Sequence, residues 1–396
     1  MKNIIGLAGF YNPCGFIVIL LLFLPALLSG KPLSENAKIM ILTCGPEKPM
    51  YAMFGHTAIR VDDPQNHIDE VYNFGTFDSG TPNFYIKFLG GRLQYALSVN
   101  NYQSFIREYK NEKRWVKGQE LLLSKQFKEI LYDSLREAYR PENRYYRYDF
   151  FRDNCSSKII NLVTSFTENQ SAIDSLNTSA NLTYRSALRY YLQNRPWMLF
   201  GFNLLLGPFS DQEISRKQSA FLPDYLMLEI EKTGLASGPE LLLEGNDQAK
   251  RPGDIASPMM LLWIIALIFV VEVFWLKTSK SVSNGIDLFL FTLSAVLGLL
   301  FLILWFWSDH VSLHVNLNLL WANPLLLILL WTIPAEKKRF NRIFLLLYAL
   351  LLFFFLINFN KLPQKIPMEL MPIVTVLALR AVNRVFQFRK MESKIE

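Results

Sequence analysis

Histidine and cysteine are scarce in this chain of 396 residues, which holds four of the first and three of the second. Cys14 precedes the apolar N-terminal run, so only Cys44 and Cys155 fall in the polar part of the chain. One disulfide between them is the most that part can form, which excludes a scaffold stapled by several bridges. In an oxidising compartment that single bridge is the plain reading of two cysteines. His310 and His314 stand four apart beside Asp309, but two histidines without a firm further ligand are weak ground for a metal site. Neither a metal nor a cofactor is expected. Residues 31–257 also lack any apolar run of membrane-spanning length, and the 308–314 stretch lacks Lys and Arg.

What is present divides the chain in two. Residues 31–257 are mixed and charged, whereas 258–396 are dominated by Leu, Ile, Phe and Val. The net charge of +7 suggests nucleic acid only until its placement is seen. Lys and Arg collect in short loops between apolar segments, where membrane topology puts them, and no nucleic-acid partner is expected. Residues 1–30 read as an export signal or N-terminal anchor: Lys2, an apolar stretch over 16–28, then the small Ser29 and Gly30.

Five apolar runs follow, at 258–276, 288–307, 315–333, 343–359 and 368–386. Each approaches the ~20 residues a spanning helix needs. Lys277 and Lys280, then Lys337, Lys338, Arg339 and Arg342, then Arg384, Arg389, Lys390 and Lys394 place those loops and the tail in the cytoplasm. The 308–314 loop and the 31–257 domain then share the outer side. Trp275, Trp305, Trp307 and Trp331 fall near segment ends, as interfacial anchors do. Asn316, Asn318 and Asn323 are costly against lipid and are expected to point into the bundle. Glu272 and Arg380 either snorkel or pair.

Within the polar domain, 38–43 alternates toward a strand that Cys44-Gly-Pro-Glu ends. His56-Thr-Ala-Ile-Arg-Val61 reads as a second strand, Asp62-Asp-Pro-Gln-Asn66 as a turn, and Val71-Tyr-Asn-Phe74 as the return strand. Residues 126–139 have helical spacing. Asp153 or Asn154 then caps a helix running through Ile159 and Val163, which puts Cys155 in its first turn. There the helix dipole and free N–H groups favour a thiolate. A cysteine at a helix start and a histidine on a strand form a papain-type pair with the order reversed, His56 before Cys155. A core cysteine and a core histidine are the plainer reading.

These residues resemble a known family. Phe54-Gly-His-Thr-Ala-Ile-Arg-Val61, Tyr72-Asn-Phe-Gly-Thr-Phe77, Asn83-Phe-Tyr-Ile-Lys-Phe88, Asp153-Asn-Cys-Ser-Ser157, Phe221-Leu-Pro-Asp-Tyr225 and His314-Val-Asn-Leu-Asn-Leu-Leu-Trp-Ala-Asn-Pro324 are similar to the Bacteroidota lipoprotein N-acyltransferase family called Lnb. The resemblance implies an α+β, permuted papain-like extracytoplasmic domain over 31–257. An all-α five-helix transmembrane bundle over 258–396 follows it, in the bacterial inner membrane. It implies that a fatty acyl chain moves, through a Cys155 thioester, to the α-amine of a lipoprotein's lipidated N-terminal cysteine. The partners are then a diacylated lipoprotein, a phospholipid or lipoprotein acyl donor, and the bilayer. His56 matches the family histidine and Cys155 the family cysteine. Cys155 must then stay reduced, which counts against the disulfide, and Cys44 has no role.

Asn73 is the candidate to orient His56 if the hairpin turn centres near 65–66; a one-residue slip would turn it to the other face. Asp62 and Glu70 are alternatives, and a satisfied strand amide is the plain reading. His310, His314 and Asn323 are candidates for substrate contact, against a reading as interfacial polar groups. Tyr145, Tyr146 and Tyr148 are expected to pack on the cysteine helix, with an acyl entrance as the alternative. Arg185, Arg195 and Arg216 read as solvated cations, with a lipid phosphate as the alternative. The competing functions are a membrane-tethered cell-wall cysteine peptidase or amidase, and a non-enzymatic sensor or transporter.

Overall fold

Alternation of apolar and polar residues builds one antiparallel sheet in the first half of the chain. The computed structural model describes residues 32–392 apart from 48, 50, 79, 247–256, 277 and 336, so the export signal expected at 1–30 lies outside the described residues. The strands are β1 Lys38–Cys44, β2 His56–Asp63, β3 Ile68–Thr76, β4 Gln94–Asn101, β5 Val116–Glu120, β6 Tyr145–Arg147 and, after a separate pair β7 Ser179–Thr183 and β8 Glu213–Ser215, β9 Glu240–Leu243. Their order across the large sheet is β6-β4-β3-β2-β1-β5-β9. The β2–β3 turn is where the sequence places it: Pro64–Asn66 form a single 3-10 turn, and the Asp63 carboxylate accepts from the Asn66 N–H.

Both faces of the sheet are covered. Helices α1 Phe84–Leu89, α2 Tyr102–Asn111, α3 Lys125–Tyr139 and α4 Cys155–Ser165 follow in order. Ile159, Ile160 and Val163 of α4 join Leu131 and Leu135 of α3 over Ile39, Ile41, Ile59 and Val61. Each such side chain contributes about 1.5–3 kcal/mol by leaving water. On the opposite face, Phe105 and Tyr109 of α2 cover Leu42, Cys44, Ala58 and Val71.

The domain then turns toward the membrane. Helix α5 Tyr184–Leu192 is followed by α6 Pro196–Leu205, an apolar helix of ten residues, too short to cross a bilayer. Phe200, Leu204 and Leu205 of α6 pack against the second half of the chain. Helix α7 Pro223–Lys232 returns to the sheet, burying Leu226 and Ile230.

The second half is helical: α8 Pro258–Phe274, α9 Lys280–Trp307, α10 Lys338–Asn358 and α11 Met371–Glu392. Among the described residues, α9 and α10 are long and apolar enough to cross a membrane, and α8 is a shorter apolar helix. The third apolar run, expected as one helix, is not one. It is a broken segment of short 3-10 turns, bent by 52° between 311–320 and 324–332. Asparagine chemistry explains the break. The Asn316 and Asn323 side chains accept from the N–H two residues on, and Pro324 has no N–H to donate. Asn316 and Asn318 are buried, as expected, and donate to the Leu204 and Leu205 carbonyls that end α6. Glu272 and Arg380 pair rather than snorkel. Arg380 bonds Glu272 of α8 and Asp287 of α9, and Arg384 also bonds Asp287. Arg185 is buried and Arg216 half-buried; each holds a carboxylate, Asp211 and Glu229 respectively.

Candidate active site

Two backbone features place His56 at the end of the central strand. His56 is the first residue of β2 and stands opposite Cys44 of β1. Gly55 before it has φ +82°, and a Cβ there would come within 2.6 Å of the Cys44 carbonyl oxygen. Only glycine fits that approach. Pairing of Ile59 with Tyr72, carried one residue on, puts Asn73 at the level of Ala58, on the face His56 occupies. The imidazole Nε2 is 3.2 Å from Asn73 Oδ1. With Nε2–H donating to that amide oxygen, Nδ1 is the nitrogen left for the sulfur of Cys155.

Cys155 is the first residue of α4. Asn154 caps the helix in a reciprocal box: its Oδ1 accepts from Ser157 N–H, and its own N–H donates to Ser157 Oγ. Its Nδ2 donates to the Phe150 and Phe221 carbonyls at 2.8 Å, which pins the cap to the domain. Cys44 and Cys155 are both free thiols, so the disulfide allowed by counting is not made. Burial pushes the Cys155 thiol up. The His56 charge, its hydrogen bond and the Thr57 N–H more than offset burial, and the thiol ends below its ordinary value. Burial alone would lower His56; the Cys155 charge and hydrogen bond, with Asn73, raise it. Each shift favours a thiolate beside an imidazolium over the neutral pair. Burial pushes Cys44 to about 12, so it stays a neutral thiol.

A pH profile tests the pair. Thiolate forms above the lowered thiol value and imidazolium persists up to the raised imidazole value, so both shifts act in favour of the ion pair. Alkylation of Cys155 by iodoacetamide is expected to rise through a midpoint below the ordinary thiol value of about 8.5. The His56→Ala variant should move that midpoint upward. An unshifted midpoint in the wild type would dismiss the ion pair.

Three tyrosines enclose the thiol. Tyr95 and Tyr148 stack at 4.2 Å, and Tyr146 stands opposite Tyr95 on β6. Burial first, and the Cys155 charge second, push all three phenols up, so they remain protonated donors. The Tyr146 hydroxyl faces the Gly75 N–H, and its own proton meets no acceptor. Gly75 itself lies against Cys155, since a Cβ there would be 3.7 Å from the Cys155 Cβ. Tyr146 is expected from the sequence to pack on the cysteine helix, not to present its hydroxyl at the thiol, and Thr57 is a site residue that sequence reading missed. The Tyr145-Tyr-Arg-Tyr148 cluster before the cysteine was the signal for the first, and nothing in the string marks the second.

The outer-loop candidates separate. His310 reaches the domain, with Nε2 3.0 Å from the Phe88 carbonyl and Nδ1 3.5 Å from Asp149, six residues before Cys155. His314 Nε2 lies 2.8 Å from the Ser308 carbonyl, and the Asn323 side chain caps the turn that follows it. Asp309 pairs with Arg92 and Arg147. Among the described residues, no group of three or more His, Cys, Asp or Glu could hold a metal ion.

Two family models match the chain. The model described as the Lnb N-terminal periplasmic domain matches residues 33–190, and that described as the Lnb transmembrane domain matches 250–391. No curated protein and no solved structure matches it.

Proposed function

The chain belongs to the Lnb family as a membrane protein with a periplasmic domain, and from that membership we propose that it is a lipoprotein N-acyltransferase. The observation that carries the reading is Cys155 at the start of α4, its thiol lowered by His56, whose far nitrogen is held by Asn73. The proposed layout is an export signal at 1–30, a permuted papain-like catalytic domain over 31–257, and a membrane domain over 258–396 in the inner membrane.

The proposed chemistry has two displacements. The Cys155 thiolate attacks the carbonyl carbon of an acyl ester in a phospholipid or a lipoprotein. As the C–O bond breaks, imidazolium His56 gives its proton to the departing alkoxide, and an acyl thioester remains on Sγ. The lipoprotein α-amine then attacks that thioester. His56 takes the amine proton, the C–S bond breaks, and the product is an amide and a thiolate. Asn73 is a positioning residue for the ring. The oxyanion of each tetrahedral intermediate takes the Cys155 N–H, which as a first-turn amide has no intrahelical acceptor, and the Tyr146 hydroxyl, whose proton lacks one.

A cell-wall peptidase would use the same dyad. Attachment of the site to the bundle favours the lipid substrate: His310, three residues past the end of α9, bonds Phe88 and Asp149 of the catalytic domain. The deciding experiment is mass spectrometry of a lipoprotein N-terminus from cells with and without the protein. A gain of one acyl chain on the α-amine is expected with it. An unchanged diacyl N-terminus, with cell-wall fragments altered instead, would replace the acyltransferase by the peptidase.

A further inference from the structure

Helix α1 leaves its apolar side chains bare. Tyr85 is 74 % exposed, Ile86 57 % and Leu89 39 %. Adjacent exposed apolar groups of this size mark a surface that something apolar covers.

The depth of α1 says what covers it. Its C-terminal end is stitched to the end of the span α9. Ser308 Oγ donates to the Leu89 carbonyl at 2.7 Å, and Asp309 N–H to the Gly90 carbonyl at 3.0 Å. The Arg92 guanidinium donates to the Trp307 carbonyl at 3.0 Å and lies over the Trp307 ring. Gly90 has no room for a side chain, because a Cβ there would be 2.8 Å from that ring. α9 ends in Trp305, Phe306 and Trp307, with Phe306 76 % exposed. Tryptophans at the end of a span sit at headgroup level. α1 is bonded directly to that end.

A row of rings leads inward from α1. Phe84 lies 5.5 Å from Phe77, Phe77 5.3 Å from Tyr95, and Tyr95 stacks on Tyr148. The last two stand beside Cys155.

We propose that α1 dips into the periplasmic leaflet as a lipid-contact helix, and that Phe84, Phe77 and Tyr95 line the route by which the long acyl chain of a membrane lipid reaches Cys155. The route rests on the acyl-transfer reading; the lipid contact does not.

The test uses the full-length protein in phosphatidylethanolamine–phosphatidylglycerol vesicles. A phospholipid carrying a diazirine in its acyl chain is photolysed there and the label mapped by mass spectrometry. Label is expected on residues 84–89 in the wild type and equally in Cys155→Ala. Ile86→Asp, at a position outside the protein core, should slow thioester formation from phospholipid by about tenfold. Its alkylation by iodoacetamide should stay at the wild-type rate, and Ile86→Leu should behave as wild type. Label on the α9 end but none on 84–89 would overturn the lipid contact. Wild-type acylation by Ile86→Asp would overturn the route. If wild-type Cys155 never acquires an acyl group, the acyl-transfer reading and the route fall together, and the photolabel alone decides the contact.

Discussion

Cys155→Ala is expected to abolish thioester formation and transfer to lipoprotein, because no other described thiol can take its place. Cys44 is 1 % exposed and held neutral by burial, so Cys44→Ala should remain active. His56→Ala should lower turnover by about 10³-fold or more, since it removes both the counter-charge of the thiolate and the proton carrier. Cys155→Ser should fail as well: a hydroxyl beside the same imidazole stays protonated at neutral pH. Tyr146→Phe separates chemistry from activation. It keeps the thiolate, so alkylation by iodoacetamide should be unchanged, while thioester formation falls by about 10²-fold through loss of an oxyanion donor. The assay is single-turnover acylation followed by intact-protein mass spectrometry. Activity in Cys155→Ala, or a 44–155 disulfide in protein isolated without reductant, would end this mechanism.

The second large effect is on stability and involves no reacting atom. Arg185 is 6 % exposed and its guanidinium holds Asp211 through two bonds of 2.8 and 3.0 Å, and the Asn203 and Leu206 carbonyls besides. Asp211 also accepts from the Lys365 N–H, in the connection between α10 and α11, and Gly207 N–H donates to the Ser312 carbonyl. This cluster docks the end of α6 onto the membrane half. Arg185→Met would leave the Asp211 carboxylate buried and unpaired, at a cost of about 3–5 kcal/mol. A fall in Tm on the order of 10 °C is expected in detergent, with new protease cleavage around 196–215. The double variant Arg185→Met, Asp211→Leu should recover part of the loss, because no charge is then stranded. A single variant as stable as the wild type would show that the ion pair contributes nothing to docking.

Much of the site was legible before any coordinates. Local chemistry wrote the cap at Asn154, the helix start at Cys155 and the turn at 64–66, each fixed by residues within four positions of one another. The hairpin register then carried Asn73 to His56, as a turn centred on 65–66 requires. The period of the apolar runs likewise set the division into a polar and a membrane half. Where sequence reading failed, the partner was distant in the chain. A run over 315–333 counts as a helix by hydropathy, but its asparagines bond their own backbone and the end of α6 instead. Arg185 looks like any surface cation until Asp211, 26 residues on, folds against it.

By itself, then, the sequence determined the two halves, the sheet hairpin and the place of Cys155 at a helix start, because composition, capping and turn chemistry act over a few residues. Only the tertiary structure decided that Thr57 meets the thiol, that Asn316 and Asn318 bond the end of α6, and that α1 is pinned to the end of α9. Those facts depend on contacts between segments tens to hundreds of residues apart, which packing selects and no local pattern records.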